Sequence, residues 1–272
     1  MNPLPASAAD NGTDSANGDS RGASVLVNAV AVLRCFSVDE PLLGVTEIAS
    51  RVGLHKSTVS RILATLEQED LVERDETSRR FRLGLGLIAV AGPLLAELDE
   101  RRVAYPVLRE LTERTQETSA LLTWTGSSAV CVEQIPSPQQ VKHTSPLGTR
   151  YSTALSASVQ VFLAAAGPER ARALLASGVI EYPSATPVRI DEFVERLKTV
   201  ASEGYAMNYG ETSVDEVGVA APVHDHRGSV VATVMLAAPR YRISAEHLQL
   251  LAEACTAAAA QVTSRLGGLP PQ

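Results

Sequence analysis

The sequence lacks the apolar segments by which membrane and exported proteins are identified. Its longest uncharged apolar run, Leu83–Ala96, contains Pro93 and falls short of the about 20 residues that cross a bilayer. The first 23 residues are mostly Ala, Asn, Asp, Ser and Gly, without the apolar stretch that a secretory signal requires. We therefore expect a cytoplasmic protein with a disordered tail over residues 1–23.

The sequence also lacks the motifs of common enzymes and metal sites. Cys35, Cys131 and Cys255 are odd in number and far apart, which predicts buried thiols rather than disulfides or a cysteine-based metal site. His224 and His226 form a weak metal motif that we interpret as an exposed turn. The sequence has no glycine-rich phosphate loop, nucleophile elbow or carboxylate pair, so we predict no catalytic residue, metal or cofactor.

Positive charge is scarce over the whole chain, where 24 Lys and Arg oppose 31 Asp and Glu for a net charge of -7. A polyanion is attracted only where positive charge is concentrated. Two segments meet this condition. Ile48–Leu66 has three basic side chains besides His55 and no acid, and Thr77–Ala96 has three arginines and no acid. Nucleic-acid binding is therefore expected from these two segments alone.

The first segment has the pattern of a helix-turn-helix. Apolar spacing predicts helices over Val25–Phe36, over VTEIASRVG and over His55–Glu69, with Gly53 ending the second. The third helix would present short polar and basic side chains at its N-terminus, where a helix in a major groove meets base edges and phosphates. The residues of this predicted DNA-binding face are His55, Lys56, Ser57, Thr58, Ser60, Arg61 and Thr65.

The second segment reads as a hairpin over LVERDETSRRFRLG, with apolar residues alternating with arginines. Arg79, Arg80 and Arg82 would form a basic rim beside the DNA backbone or in the minor groove. We predict phosphate contacts from Lys56, Ser57, Arg79 and Arg80. Base contacts are expected chiefly from Thr58 and Arg61.

The rest of the chain predicts a second domain of mixed strands and helices. Leu83–Leu98 and DERRVAYPVLRELTERTQE read as apolar-faced helices broken at Pro93 and near Pro106. The first would bury its apolar surface in a subunit interface or against its own domain. From Thr118 onward, strands and helices follow in an order that fits an α+β domain with a helix-covered sheet able to enclose a ligand.

The stretch EIASRVGLHKSTVSRILATLEQEDLVERD…RRFRLG resembles the IclR family of bacterial transcriptional regulators, and the likeness continues through SPLGTRY, EGYAMN and VGVAAPV. The resemblance implies a winged helix-turn-helix over 24–84, a linker helix over 85–100 and a GAF-like or PAS-like effector-binding domain over 101–267, with a tail at 268–272. It also implies a homodimer or homotetramer that binds double-stranded operator DNA. A small-molecule effector would then control a catabolic or metabolic operon, through repression or activation.

The resemblance also implies the effector-binding residues. Relatives often have Asp, Cys and Ser at the positions of Asn208, Gly218 and Met235 or Ala237, so the cavity of this chain should be roomier and more apolar. A partly apolar or aromatic carboxylate would fit it, held by backbone N–H groups near Ser156 at a helix start. The predicted set is Arg150, Leu155, Ser156, Ala157, Ser158, Asn208, Gly218, Met235 and Ala237.

Two other classes of function stay open at this point. The α+β domain could convert a small molecule and use the DNA-binding head as an accessory. It could also be an interaction module without a ligand. An enzyme would turn over metabolites without shifting DNA from its own promoter, and a ligand-free module would show no thermal shift with any metabolite.

Overall fold

The computed structural model describes residues 15–37, 39–97, 99–183 and 185–268, and the chain divides after Glu97 into two compact units. The N-terminal unit contains helices α1 (Ser15–Leu33), α2 (Val45–Val52), α3 (Lys56–Gln68) and α4 (Gly86–Glu97). Strands β1 (Val72–Arg74) and β2 (Phe81–Leu83) form an antiparallel hairpin between α3 and α4. Three helices and a hairpin in this order form a winged helix-turn-helix.

The turn between α2 and α3 depends on Gly53, which has a φ of 66° in the left-handed region. Glycine adopts this conformation without a steric penalty, so the chain can reverse directly after the last turn of α2. The predicted stripe Val59, Ile62, Leu63 and Leu66 is buried against the other helices. The burial of this stripe leaves the opposite face of α3 in solvent.

The first helix starts earlier than the sequence predicts. Residues 15–23, which we assigned to the disordered tail, form the first turns of α1, and residues 1–14 of that tail lie outside the described residues. Each residue added to an existing helix gains a hydrogen bond without a new nucleation cost. Within the apolar part of α1, Val32 and the partly buried Ala29 and Leu33 pack on the core, whereas the apolar side chains Val25, Leu26, Val27 and Val30 are exposed.

The predicted breaks at Pro93 and Pro106 are wrong, because both prolines lie inside helices. Pro93 is in α4 and Pro106 is in α5 (Asp99–Thr115). A proline in a helix leaves the carbonyl four residues earlier without its donor. In α4 that carbonyl belongs to Ala89, an exposed residue, so water can hydrate it and the helix continues.

The C-terminal unit is built on a six-stranded antiparallel sheet with the strand order β5-β4-β3-β8-β7-β6. Two helices, α5 and α9, cover one face of the sheet, and α6, α7 and α8 cover the other. The remaining elements are β3 (Thr118–Trp124), β4 (Ala129–Ile135), β5 (Arg150–Tyr151), α6 (Ala157–Ala166), α7 (Pro168–Ala176), α8 (Pro187–Glu203), β6 (Ala206–Tyr209), β7 (Glu216–His224), β8 (Val230–Pro239), a 3₁₀ turn (Arg240–Arg242) and α9 (Ala245–Arg265).

Each face of this sheet has its own apolar core. The core under α6 to α8 includes Leu122, Phe162 and Phe193, and the core under α5 and α9 includes Leu108 and Leu236. Successive residues of a strand point to opposite faces, so β8 contributes to both cores in alternation. The α+β class and the architecture predicted from the sequence are confirmed.

No helix within the described ranges is both long and apolar enough to cross a membrane.

Candidate nucleic-acid interface and ligand site

The exposed face of α3 collects the residues that the sequence predicts for DNA binding. His55 is the N-cap of the helix, in an extended conformation, and the predicted residues from Lys56 to Arg61 occupy the first two turns. All seven predicted side chains are exposed, Arg61 among them. The first N–H groups of a helix have no partner within the helix, so this end combines positive charge with free backbone donors.

The basic side chains of this unit differ in whether they have hydrogen-bond or ion-pair partners. Within the described ranges, no hydrogen bond or ion pair engages the side chains of Lys56, Arg61 or Arg79. Arg79 lies in the hairpin turn with a φ of 59°. The turn is held by Asp75, whose carboxylate accepts hydrogen bonds from the Ser78 amide at 2.7 Å and hydroxyl at 2.6 Å. These three cations are therefore free to pair with an anion.

Arg80 instead ties the hairpin to the start of α2. Its guanidinium donates to Glu47 Oε1 at 3.1 Å and to the Leu42 carbonyl at 3.2 Å. The other carboxylate oxygen of Glu47 accepts from the Gly44 N–H at 2.7 Å, which caps α2. That hydrogen bond, with smaller contributions from Arg80 and Arg51, lowers the pKa of Glu47. Arg80 thus positions the hairpin, in addition to any contact it makes with a phosphate.

The hairpin has two further attachments. Leu43 and Phe81 exchange backbone hydrogen bonds of 2.9 Å in both directions, which adds a short bridge to the edge of β2. Arg82 pairs with Glu73 on the neighbouring strand at 2.8 Å. Because both members of that pair are substantially exposed, phosphate oxygens can compete for Arg82.

In the C-terminal unit, three predicted effector residues from distant parts of the sequence form one row across the sheet. Asn208 of β6 lies opposite Gly218 of β7, which lies opposite Ala237 of β8. Met235 lies two residues before Ala237 and belongs to the core under α6, so the row faces that helix. The pairing register therefore brings the four predicted residues together under α6.

The row has unused space at Gly218. A Cβ atom added there would meet only the Leu236 carbonyl oxygen, at the ordinary contact distance of 3.8 Å, although Gly218 is buried. Two of its neighbours on this face are also small: Ala220 on the same strand and Ala237 on β8. Small residues in a buried row leave room that a larger side chain or a ligand can fill.

The start of α6 supplies backbone donors on the same side of the sheet. Ser156 is its N-cap but makes no side-chain capping bond; its hydroxyl instead lies 3.0 Å from that of Ser158. Ser156, Ala157 and Ser158 are all buried. A buried helix start without a capping side chain is unusual, because its free N–H groups then lack both water and a partner. An anion would satisfy them.

Two predicted residues are already engaged elsewhere. The Asn208 side-chain oxygen accepts from the Glu211 amide at 2.8 Å, and its nitrogen donates to Thr212, so the side chain holds the turn after β6. Arg150 is exposed and donates to Ser128 Oγ at 2.7 Å. Within the described ranges, no recorded contact joins Arg150 to the row or to the start of α6. Leu155, by contrast, directly precedes that start and is half-buried.

Nearby polar groups keep their protons at neutral pH. Burial raises the pKa of Tyr151 to about 12, and its hydroxyl is hydrogen-bonded to Ser145. Burial also raises the pKa of Cys131 to about 12, and its thiol lies 3.0 Å from the Ser145 carbonyl. A thiol with such a pKa is not a nucleophile at neutral pH. These two side chains are therefore uncharged at neutral pH.

Sequence reasoning missed two residues that matter to these sites. Glu47 positions Arg80, and no local pattern separates such a carboxylate from an ordinary surface acid. Gln160 is completely buried in α6, and its sequence context carried a signal, since it is the one long polar side chain in the apolar run ASVQVFLAAA. A buried amide in such a run needs hydrogen-bond partners.

Two family models match the chain, one on each unit. The model described as the IclR helix-turn-helix domain matches residues 25–76, and the model described as the bacterial transcriptional regulator IclR C-terminal domain matches residues 93–264. They run from within α1 to the last turn of α9 and leave only residues 77–92, which contain β2 and the start of α4, between them. The family resemblance predicted from the sequence is confirmed.

Similar proteins agree with this match. The HTH-type transcriptional regulator KdgR of Escherichia coli strain K12 is 30% identical over 249 residues, with 87% of this chain and 92% of KdgR covered. A solved domain of an IclR-family transcriptional regulator is 58% identical, has a TM-score of 0.62, and covers 64% of this chain and 99% of its own.

A third relative shows the fold in a liganded form. It is an IclR homologue from Microbacterium hydrocarbonoxydans complexed with 4-hydroxybenzoate, and it covers 89% of this chain and 98% of its own with a TM-score of 0.72. Its identity to this chain is 23%, so the likeness shows the shared fold alone.

Proposed function

This chain belongs to the IclR family of bacterial transcriptional regulators, and from that premise we propose that it controls a catabolic or metabolic operon in response to a small carboxylate. The N-terminal unit binds double-stranded operator DNA. The C-terminal unit binds the effector between α6 and the sheet. The relatives are regulators, and we propose no enzymatic activity for this chain.

The observation that carries the DNA-binding role is the exposed face of α3. It presents Lys56 and Arg61 without ion-pair partners in the described ranges, next to the free N–H groups of the helix start. Ser57 and Lys56 would contact phosphates, and Thr58 and Arg61 would contact base edges in the major groove. Ser60, Thr65 and His55 flank this surface, and Arg79, Arg80 and Arg82 extend it along the hairpin.

A direct binding experiment tests this role. Fluorescence anisotropy of the full chain should show tighter binding to a duplex from upstream of its own gene than to a scrambled duplex of equal length. The affinity should fall with salt, because phosphate contacts release counterions. Equal affinity for both duplexes would remove sequence recognition from the proposal.

We propose a homodimer, or a pair of dimers, as the form that binds DNA. Exposed apolar side chains accumulate on α1 and near α4, where water would otherwise contact them: Val25, Leu26, Val27, Val30, Leu85, Ile88 and Val90. A cavity of about 400 Å³ between α1 and α3 adds to this apolar surface. Patches of this kind mark protein interfaces, and a second copy would also supply a second α3 for a palindromic site.

Sedimentation tests the oligomer. Ile88→Asp places a charge on the apolar surface of α4 and should shift the chain towards monomers, whereas Arg109→Asp, on the exposed side of α5, should not. A monomeric wild-type chain would overturn this part of the proposal.

The effector that fits best is a partly apolar or aromatic carboxylate. Its carboxylate would accept hydrogen bonds from the free N–H groups at the start of α6, and its apolar body would fill the space above Gly218 and Ala237. The homologue complexed with 4-hydroxybenzoate supports this class. Leu155, Met235 and Ala157 would line the apolar part, while Asn208 and Arg150 stand at its margins.

Regulation requires that the effector prefer one of two states of the protein. A ligand that binds the DNA-competent and incompetent states equally shifts nothing. A preference of about 1 to 3 kcal/mol is typical and changes DNA affinity by about 5- to 150-fold. Adding benzoate or 4-hydroxybenzoate to the anisotropy assay measures this coupling, and its sign shows whether the effector releases the protein from DNA or strengthens its binding.

We retain the domain boundaries 24–84, 85–100 and 101–267 as part of the proposal, with the helical residues 15–23 added to the first domain and the tail at 268–272. The protein would act in the cytoplasm, where operator DNA lies.

An accessory enzymatic role is tested with the same preparation, because turnover of candidate acids without a DNA shift would replace the regulator by an enzyme.

A further inference from the structure

Gln160 is a buried polar side chain with one unsatisfied atom. It is 0% exposed, and its amide nitrogen donates to the Leu155 carbonyl at 3.1 Å. Its Oε1 is also buried, and no described residue donates a hydrogen bond to it. An unpaired buried acceptor costs about 1 to 3 kcal/mol, so its presence in an otherwise apolar helix needs an explanation.

The contact with Leu155 fixes where the amide group lies. Leu155 precedes the N-cap Ser156, so the side chain of Gln160 folds back along α6 towards the helix start. The unpaired oxygen belongs to this amide group and is therefore held at the same end of α6 as the buried N–H groups that lack a capping side chain. The start of α6 thus has backbone donors and an unpaired acceptor, all shielded from water.

A carboxylate alone would satisfy only half of this arrangement. It would accept from the N–H groups but would bring its negative oxygens towards Gln160 Oε1, which can only accept. A ligand that also carries a hydroxyl or amino group would donate to that oxygen. Deepening the proposed effector-binding function, we propose that Gln160 binds the ligand, and that the effector is a carboxylic acid with a second hydrogen-bond donor.

Thr233 supports this assignment from the sheet side. It is 0% exposed, and its Oγ1 is a second buried oxygen without a described partner. It lies opposite Leu122, which belongs to the core under α6, and two residues before Met235. One unpaired oxygen thus belongs to α6 and the other to the sheet face that α6 covers. Together they favour a ligand with polar groups in addition to its carboxylate.

Binding of four acids tests the proposal: benzoate and 2-, 3- and 4-hydroxybenzoate, measured by calorimetry on the full chain. The wild type should prefer at least one hydroxybenzoate to benzoate by about tenfold, the worth of one hydrogen bond. Gln160→Met keeps the length of the side chain and removes its acceptor, so it should bind benzoate and that hydroxybenzoate equally.

Thr256→Val is the matched control. Thr256 has a buried, unpaired Oγ1 like Thr233, but it lies in α9 on the opposite side of the sheet. Its substitution should leave the preference for the hydroxybenzoate unchanged. The free protein gives a second readout, since a Gln160→Met chain without ligand should be about as stable as the wild type: it loses the hydrogen bond to the Leu155 carbonyl, but also the unpaired buried oxygen.

The outcomes separate the two levels of the proposal. If benzoate binds as tightly as every hydroxybenzoate, or if Gln160→Met keeps the preference, the role of Gln160 is refuted while the carboxylate effector stands. Loss of stability in ligand-free Gln160→Met would equally refute it by showing a structural role. If none of the four acids binds, the proposal of an aromatic effector is refuted, and so is the proposed contact of Gln160 with it.

Discussion

The two candidate sites differ in where their polar groups lie. On α3, hydroxyl and basic side chains from one short stretch of sequence are exposed, and Arg61 and Lys56 have no ion-pair partner in the described ranges. Between α6 and the sheet, the free groups are backbone N–H groups and the oxygens of Gln160 and Thr233, all buried. A polyanion can be bound at an open surface, whereas a small ligand must replace the water that burial removes.

One ion pair of the C-terminal unit shows the same contrast with those of the N-terminal unit. Arg80–Glu47 and Arg82–Glu73 join exposed side chains in the N-terminal unit. In the C-terminal unit, Arg242 forms a two-point pair with Glu117, which is only 3% exposed, with contacts of 2.6 and 2.5 Å. Arg242 also donates to the Val141 carbonyl at 2.6 Å, so it fastens the loop after β4 to the start of β3.

Arg242→Ala should have the largest effect on stability. It leaves the buried carboxylate of Glu117 without its partner, which costs about 3 to 5 kcal/mol in the free energy of unfolding. The fluorescence of Trp124, the one tryptophan of the chain, reports the unfolding of the C-terminal unit in urea. Arg172→Ala breaks an exposed pair with Asp191 and should cost less than about 1 kcal/mol. Equal losses in the free energy of unfolding for the two variants would contradict the expected difference between buried and exposed ion pairs.

Arg61→Ala tests the open surface. If Arg61 contacts a guanine, the variant should lose about 1 to 3 kcal/mol of discrimination between its own site and a site mutated at one base pair. Anisotropy titrations with both duplexes measure the difference. Stability should stay unchanged, because the side chain is exposed and no described residue pairs with it. If the variant still discriminates between the two duplexes, residues other than Arg61 recognise the bases.

Gly218→Ala tests the buried site. The added methyl group has room in the free protein, and alanine stabilises a strand relative to glycine by about 0.5 to 1 kcal/mol. In the complex it would occupy ligand space, and overpacking of this kind costs about 1 to 3 kcal/mol. We expect a weaker calorimetric affinity for the carboxylate together with an equal or higher melting temperature. Unchanged affinity would place the ligand elsewhere.

Arg79→Ala and Arg80→Ala should have the smallest effects on DNA affinity. The difference between them tests whether Arg80 contacts a phosphate. Arg79 has no described partner, so its loss should lower the slope of log affinity against log salt by about 0.9 if it contacts one phosphate. Arg80 is already paired with Glu47, so its loss should change the slope less and lower stability by under about 1 kcal/mol. Equal slopes for both variants would show that Arg80 leaves Glu47 to bind phosphate.

The contrast between the exposed surface of α3 and the buried site under α6 also explains which residues could be predicted from the sequence. The proposed DNA-binding face could be predicted from the buried stripe Val59, Ile62, Leu63 and Leu66, because its helical spacing assigns the polar residues between them to the exposed side of α3. The row Asn208–Gly218–Ala237 depends on strand pairing between distant segments, which no local pattern contains. Only the family resemblance identified those residues beforehand.

Other features were beyond prediction for physical reasons. The proline in α4 is tolerated because the Ala89 carbonyl, which loses its helical donor, belongs to an exposed residue, and this exposure depends on the surrounding fold. The pairing of Arg80 with Glu47 joins residues 33 positions apart. The unpaired oxygen of Gln160 depends on the distances to every neighbour, although its polarity within an apolar helix was visible in the sequence.

The most direct test of the account is the affinity of the full chain for DNA from upstream of its own gene, measured by anisotropy with and without 4-hydroxybenzoate. We predict binding that exceeds that of a scrambled duplex, falls with salt, and shifts by about 5- to 150-fold when the acid is added. Binding that is absent, indifferent to sequence, or unchanged by any of the four acids would contradict an effector-controlled regulator.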